Sequence, residues 1–221
     1  MFGWFKQQSI SELNLGLPLT EARKRARILV IDDHQSAFPV KLLQDEGYNV
    51  QYWEKVKNLR SLEEGEFDII ILDIAGISSP EMSRQDGLGV LQHLKKYNPG
   101  QIIVAYSGQS FDLGQQKFFQ QADDFLGKPS DLLECKQKID QLLQSKFTAA
   151  HYWNTLVDVL KRNDTPVTTI KKFETLFVRK AKQNQPLTAE AIISACKVSK
   201  EVGQIIFTLV GFVWKFIKPG P

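Results

Sequence analysis

Cysteine, histidine and long apolar runs are all scarce in this chain, and each scarcity excludes something. The two cysteines, Cys135 and Cys196, stand far apart and no C-x-x-C pair occurs. The usual zinc and dithiol spacings are therefore absent, and two buried, reduced thiols are expected. Of the three histidines, His34 falls near a cluster of acids, where a rim position is expected, and His93 on a helix face expected to be solvated. His151, near the start of the last third, has no nucleophile or carboxylate at a persuasive catalytic spacing, so no catalytic output is expected there. The uncharged stretch Ile205–Trp214, and the apolar segment Val202–Ile217 around it, fall short of the about 20 residues that a membrane span needs. The first residues, Met1-Phe-Gly-Trp-Phe-Lys6, lack the apolar centre of a signal peptide. The cytoplasm is the expected compartment, and Phe2, Trp4 and Phe5 are expected to pack on the body.

What is present is a globular composition with divided charge. Hydrophobic residues make up 43% of the chain and charged residues 24%. The net charge of +3 conceals a balance of −4 over residues 1–145 (16 Lys/Arg, 20 Asp/Glu) and +7 over 146–221 (12 against 5). An acidic part joined to a basic part predicts two units with different partners.

From Ile28 the chain alternates between two periods. Apolar runs at Ile28–Ile31, Ile69–Leu72 and Ile102–Tyr106, with shorter ones at Val50–Trp53 and Asp124–Gly127, read as strands. Helical spacing covers Phe38–Glu46, Leu88–Lys96, Leu113–Gln121 and Leu132–Gln144. Strands alternating with helices predict right-handed crossovers and an α/β domain with a doubly wound, five-stranded parallel sheet, whose function gathers beyond the carboxyl ends of the strands. After Lys146 strand signals vanish. Helices are predicted over Phe147–Arg162, from Thr165-Pro166 through Ile170, Phe173 and Phe177 to a stop before Pro186, from Thr188 onward, and over Val202–Ile217. The expected division is an extension at 1–26, the α/β domain at 27–146 and a small, basic all-α domain at 147–221.

The strand ends carry the chemistry. Asp32 and Asp33 follow the first strand, Asp73 the third, Ser107 the fourth and Lys128 the fifth. A dense cluster of carboxylates at one sheet edge calls for a compensating cation. The set suits phosphoryl transfer to a carboxylate: Asp73 as nucleophile forming an acyl phosphate, and Mg²⁺ held by Asp73 with one or both earlier acids. Lys128 and the Ser107 hydroxyl would then meet the phosphoryl oxygens.

On Ile28-Leu-Val-Ile-Asp-Asp33, Ile69-Ile-Ile-Leu-Asp73, Val104-Ala-Tyr-Ser107-Gly108 and Phe125-Leu-Gly-Lys128-Pro129, residues 27–146 resemble the receiver domain of two-component response regulators. The resemblance implies a flavodoxin-like fold, Asp73 as phosphoacceptor, Asp32 and Asp33 as metal-site acids, and the backbone carbonyl of Ala75 as a further Mg²⁺ ligand. It also implies Ser107 and Lys128 as the phosphate-sensing pair, Phe125 as the switch aromatic, and a cis Lys128-Pro129 bond. The partner it implies is a histidine kinase or phosphotransfer protein. The protein is then a signalling switch that catalyses only its own phosphorylation and dephosphorylation, not an enzyme acting on other substrates. One departure is the late Asp86-Gly87 pair: Ser78–Gln85 lengthens the loop beside Asp73.

For the basic end, the first expectation is an interaction module binding a protein partner or a second copy of the chain, since a helix apolar all round must be buried. A DNA-binding regulator is the alternative: Leu187–Val202 loosely resembles a helix-turn-helix with Val198-Ser199 at the turn. Against it, Gly203 stands where a packed apolar residue is expected, and Gln204–Ile217 is very apolar for a helix lying on phosphates and base edges. Association with a membrane surface through Trp214, Lys215 and Lys218 is the least favoured of these partners.

Overall fold

The computed structural model describes residues 8–13, 15–108, 116 and 119–217. Phe2, Trp4, Phe5 and most of the helix expected at Leu113–Gln121 lie outside the described residues. Leu17–Phe147 forms one compact unit, and Thr148 onward forms a second with the described residues up to Gly16.

In the first unit, β1 (Arg27–Ile31), β2 (Asn49–Trp53), β3 (Ile69–Asp73), β4 (Ile102–Ser107) and β5 (Asp124–Gly127) form an all-parallel sheet in the order β2-β1-β3-β4-β5. The triple isoleucine makes β3 the central strand, buried along its whole length, as a strand covered on both faces requires. One face packs Leu29, Ile31, Ile70, Leu72, Ile103 and Ala105 into a continuous core. Truncating a residue such as Ile70 to alanine is expected to cost about 2–5 kcal/mol.

Helices α1 (Leu19–Arg25), α2 (Val40–Asp45), α3 (Leu59–Glu63), α4 (Asp86–Tyr97) and α5 (Leu132–Ser145) accompany the sheet. The segment expected to be helical from Phe38 begins two residues later. Phe38 is extended, and Pro39 at the cap position donates no N–H. The five-residue α3 was not expected, being too short to show a period. Asp131 and Glu134 close a capping box on α5, which fixes its start just after β5.

Asp140 on α5 anchors α1. Arg23 Nε and Nη2 donate to its two oxygens at 2.9 and 2.6 Å, and the Tyr48 hydroxyl donates at 2.7 Å. Burial alone would raise this carboxyl, but Arg23 and Tyr48 outweigh it and hold it below the usual range. A depressed carboxyl contributes stability that is present above its unfolded value, about pH 3.9, and lost as pH falls through the folded one. The melting temperature is therefore expected to drop on acidification below about pH 4, and to drop less in Asp140→Asn. An equally steep loss in both proteins would contradict this.

The second unit is helical: α6 (Ala149–Arg162), α7 (Val167–Lys182), α8 (Ala189–Cys196) and α9 (Lys200–Ile217). Thr148 and Thr188 cap α6 and α8 with their side chains, whereas α7 starts after Pro166 without a side-chain cap. The core is aromatic, with Tyr152 stacked on Phe212 at 4.7 Å and Trp153 against Phe177 at 5.0 Å. Helix α9 buries Ile206, Leu209, Val210, Phe212, Val213 and Phe216, so its apolar character is that of a core helix. The described N-terminal residues join this unit. Ser9 Oγ and the Ile10 amide both donate to Glu174 Oε1 at 2.9 Å, and Lys182 pairs with Glu12 at 2.6 Å. Both cysteines are buried and unpaired, and burial pushes their thiols up to about 12.

Candidate functional site

The sheet order brings β1, β3 and β4 side by side, so their carboxyl ends deliver Asp32, Asp33, Asp73 and Ser107 to one edge. Lys128, just past β5, completes the group. Its Nζ donates to Asp73 Oδ2 at 2.6 Å and lies 2.7 Å from Asp32 Oδ2. The second contact is an ion pair by distance alone: Asp32 is wholly buried and its Oδ2 accepts no hydrogen bond. Asp32 Oδ1 accepts the His34 amide at 2.8 Å, and Asp73 Oδ1 accepts the Ile74 amide at 2.7 Å. Burial pushes the Asp73 carboxyl above the usual carboxylate range, against the pull of Lys128.

Two carboxylates therefore share one ammonium, with a third, Asp33, next in sequence, and a wholly buried oxygen lacks a hydrogen-bond donor. Acceptor-only oxygens of this kind suit a hard divalent cation. Among the described residues, the three groups whose ligand atoms fall within 4.8 Å of one another are Asp32, Asp33 and His34, a set that does not include Asp73. Asp73 is engaged instead by the Lys128 ammonium. His34 sits at the rim as expected, but its Nδ1 lies 2.5 Å from Asp33 Oδ1.

Ser107 is buried at the end of β4, and its carbonyl accepts the Lys128 amide at 2.9 Å. Phe125 is 42% exposed and packs edge-on against Phe119 at 4.8 Å. The Lys128-Pro129 bond is cis. His93 is less free than a solvated face implies, since it hydrogen-bonds Glu63.

Ala75 lies in a loop shaped by Asp86, whose role the sequence did not disclose. Asp86 Oδ2 accepts the Gly76 amide at 2.5 Å, and Oδ1 accepts Ser78 and Ile77 at 2.8 and 3.2 Å. Asp86 itself adopts φ +47°, a conformation that Asp tolerates better than most residues. Gly87 lets α4 approach Asp73: a Cβ there would stand 2.1 Å from the Asp73 carbonyl. Two tyrosines were also missed. The Tyr52 hydroxyl donates to the Asp32 carbonyl, and the Tyr106 ring lies 5.0 Å from Lys128 Nζ.

The carboxyl ends of a parallel β2-β1-β3-β4-β5 sheet thus gather an acidic group held by one lysine, in a domain of the doubly wound α/β class. Residues 28–140 match the family described as the response regulator receiver domain, and the chain belongs to that family.

The chain is 28% identical over 134 residues to the CAI-1 autoinducer sensor kinase/phosphatase CqsS of Vibrio cholerae, covering 58% of this chain and 19% of that protein. It is 28% identical over 172 residues to the transcriptional regulatory protein CiaR of Streptococcus pneumoniae, covering 72% of this chain and 73% of that protein. Among solved structures, a CheY-like receiver domain protein from Methanospirillum hungatei is 23% identical with a TM-score of 0.46, over 55% of this chain and 95% of that one. The receiver domain of NtrX from Brucella abortus is 25% identical with a TM-score of 0.43, over 53% and 98%.

Proposed function

We propose that the chain is a response regulator in which Asp73 accepts a phosphoryl group from a histidine kinase or phosphotransfer protein, or from a small phosphodonor. Residues 27–146 act as the switch, 147–221 as the output and 1–26 as an extension. The observation that carries this reading is the Lys128 ammonium lodged between Asp73 and Asp32.

An Asp73 carboxylate oxygen attacks the phosphorus of phosphohistidine, the P–N bond breaks, and the imidazole leaves with a proton. Water later cleaves the acyl phosphate and restores the carboxylate. Lys128 turns to a phosphoryl oxygen, and the Ser107 hydroxyl donates to another. Phe125, half-exposed on β5, then fills the space that Ser107 vacates, which changes the surrounding face. Asp32, Asp33, Asp73 and the Ala75 carbonyl would hold Mg²⁺. When bound, it neutralises charge on the phosphoryl oxygens. Uptake of one phosphoryl group from acetyl phosphate, abolished by chelation of divalent cations, tests this reading. No uptake in either condition contradicts it.

For the output, contact with a protein partner or a second copy is the first reading. DNA contact is a second one, supported by the connection of α8 to α9. Lys197 turns the chain in a left-handed conformation, φ 57° and ψ 45°, and α9 begins three residues later. Gly203 is packed after all, and the bulk comes from the facing helix: a Cβ on it would stand 2.2 Å from Ile193 Cγ1. Lys200, Glu201 and Gln204 are exposed at the start of α9, in a segment of charge +7. Among the described residues, no helix is long and apolar enough to cross a membrane. If DNA is the target, affinity falls steeply with salt, with a log–log slope near −0.9 per phosphate contacted, and weakens in Lys200→Ala. Absence of DNA binding together with a phosphorylation-dependent change in assembly size favours the first reading.

A further inference from the structure

The ammonium of Lys128 has a neighbour that is not an anion. Its Nζ lies over the ring of Tyr106, 5.0 Å from the centroid. Tyr106 is fully buried and stands in register with Asp73 on the adjacent strand. Its hydroxyl donates to the carbonyl of Ala37, a few residues past Asp32 and Asp33. Phe38 steadies the ring edge-to-face at 5.3 Å. One side chain thus meets the cation and ties the backbone that follows the acids.

We infer that Tyr106 is a positioning residue for Lys128, its ring holding the ammonium where the oxygens of a phosphoryl group on Asp73 would meet it. The inference rests on the reading of Asp73 as phosphoacceptor. Phosphorylation takes the Asp73 carboxylate oxygen away from Lys128, and a flexible four-carbon side chain is then held by Asp32 on one side and the Tyr106 ring on the other. The negative face of an aromatic ring attracts the ammonium without supplying an anion that competes with the phosphoryl oxygens. An aliphatic residue would fill the same volume and attract nothing. Burial raises the phenol far above its ordinary range, so it stays neutral and the hydroxyl keeps its proton for Ala37.

The test measures beryllofluoride affinity, at saturating Mg²⁺, for the full chain, Tyr106→Leu and Tyr106→Phe. It also records the Lys128 side-chain proton shifts by NMR. Tyr106→Leu is expected to bind about 3–10-fold more weakly. Tyr106→Phe, which keeps the ring, recovers most of that loss, and the wild-type Lys128 Hε protons show an upfield ring-current shift. A Leu variant that binds as tightly as wild type overturns the inference, and so does a Phe variant as weak as the Leu variant. Should the Leu variant not fold, an unshifted Lys128 in the wild type overturns it alone. Failure of the wild type to bind beryllofluoride sinks the phosphoacceptor reading and this inference with it, whereas tight wild-type binding indifferent to the ring sinks only the role of Tyr106.

Discussion

Lys128→Ala is expected to slow phosphoryl uptake by about 10²–10³-fold and to destabilise the sheet unit by about 3–5 kcal/mol near neutral pH. The two effects have one origin. The ammonium lies 2.6 Å from Asp73 and 2.7 Å from Asp32, and Asp32 is wholly buried. Removing one partner of a buried ionic group leaves the other charges uncompensated, which costs more than the pair contributed. The same ammonium is the charge available to the oxygens of an incoming phosphoryl group, so its loss is felt most in the transition state. Because burial already raises Asp73, that carboxyl can take up a proton when its cation is gone. The stability gap between the two proteins therefore narrows as pH is lowered. Urea unfolding at several pH values and uptake rates by intact mass measure both effects. A variant as stable as wild type at pH 7, with undiminished uptake, contradicts the assignment.

Asp73→Asn is expected to remove phosphoryl uptake altogether while leaving the fold intact. An amide oxygen does not form an acyl phosphate under these conditions, and no other described carboxylate pairs with Lys128 except Asp32, which is wholly buried. The folded state does not suffer. Asp73 is held charged against the cost of burial, and a neutral amide of the same shape escapes that cost while Lys128 keeps Asp32 as a partner. Melting temperature at pH 7 is expected to match or exceed that of wild type, and the further rise that beryllofluoride and Mg²⁺ give the wild type disappears. Uptake that persists in the variant moves the acceptor elsewhere.

How much of this was legible in the sequence depends on whether a feature is local or assembled. The strands were legible because Ile69-Ile-Ile-Leu72 and its counterparts are short, continuous and apolar. Their ends carry Asp32, Asp73, Ser107 and Lys128 whatever the exact boundaries. Helix α3 was invisible at five residues. Tyr106 was hidden for a different reason. Within Ile102–Ser107 it reads as one more buried residue, and its contact with Lys128 exists only because β5 lies beside β4. Asp86 was visible as an Asp-Gly pair, yet its three amide partners depend on the path of the lengthened loop. Gly203 was read as a missing apolar residue, where the structure instead supplies the bulk from Ile193 across the helix pair. The described part of the N-terminal extension was the least legible segment. Its attachment runs through Glu174 and Lys182, more than a hundred and sixty residues away, and no pattern in residues 8–13 announces it.

The central claim is that Asp73 carries the phosphoryl group. Its most direct test is peptide mapping of the wild-type protein after incubation with acetyl phosphate and Mg²⁺, with borohydride used to trap the acyl phosphate before digestion. The account predicts one trapped site, in the peptide that contains Ile69–Asp73, and none when Mg²⁺ is withheld. A trapped site on any other peptide, or no trapped site at all with Mg²⁺ present, contradicts it.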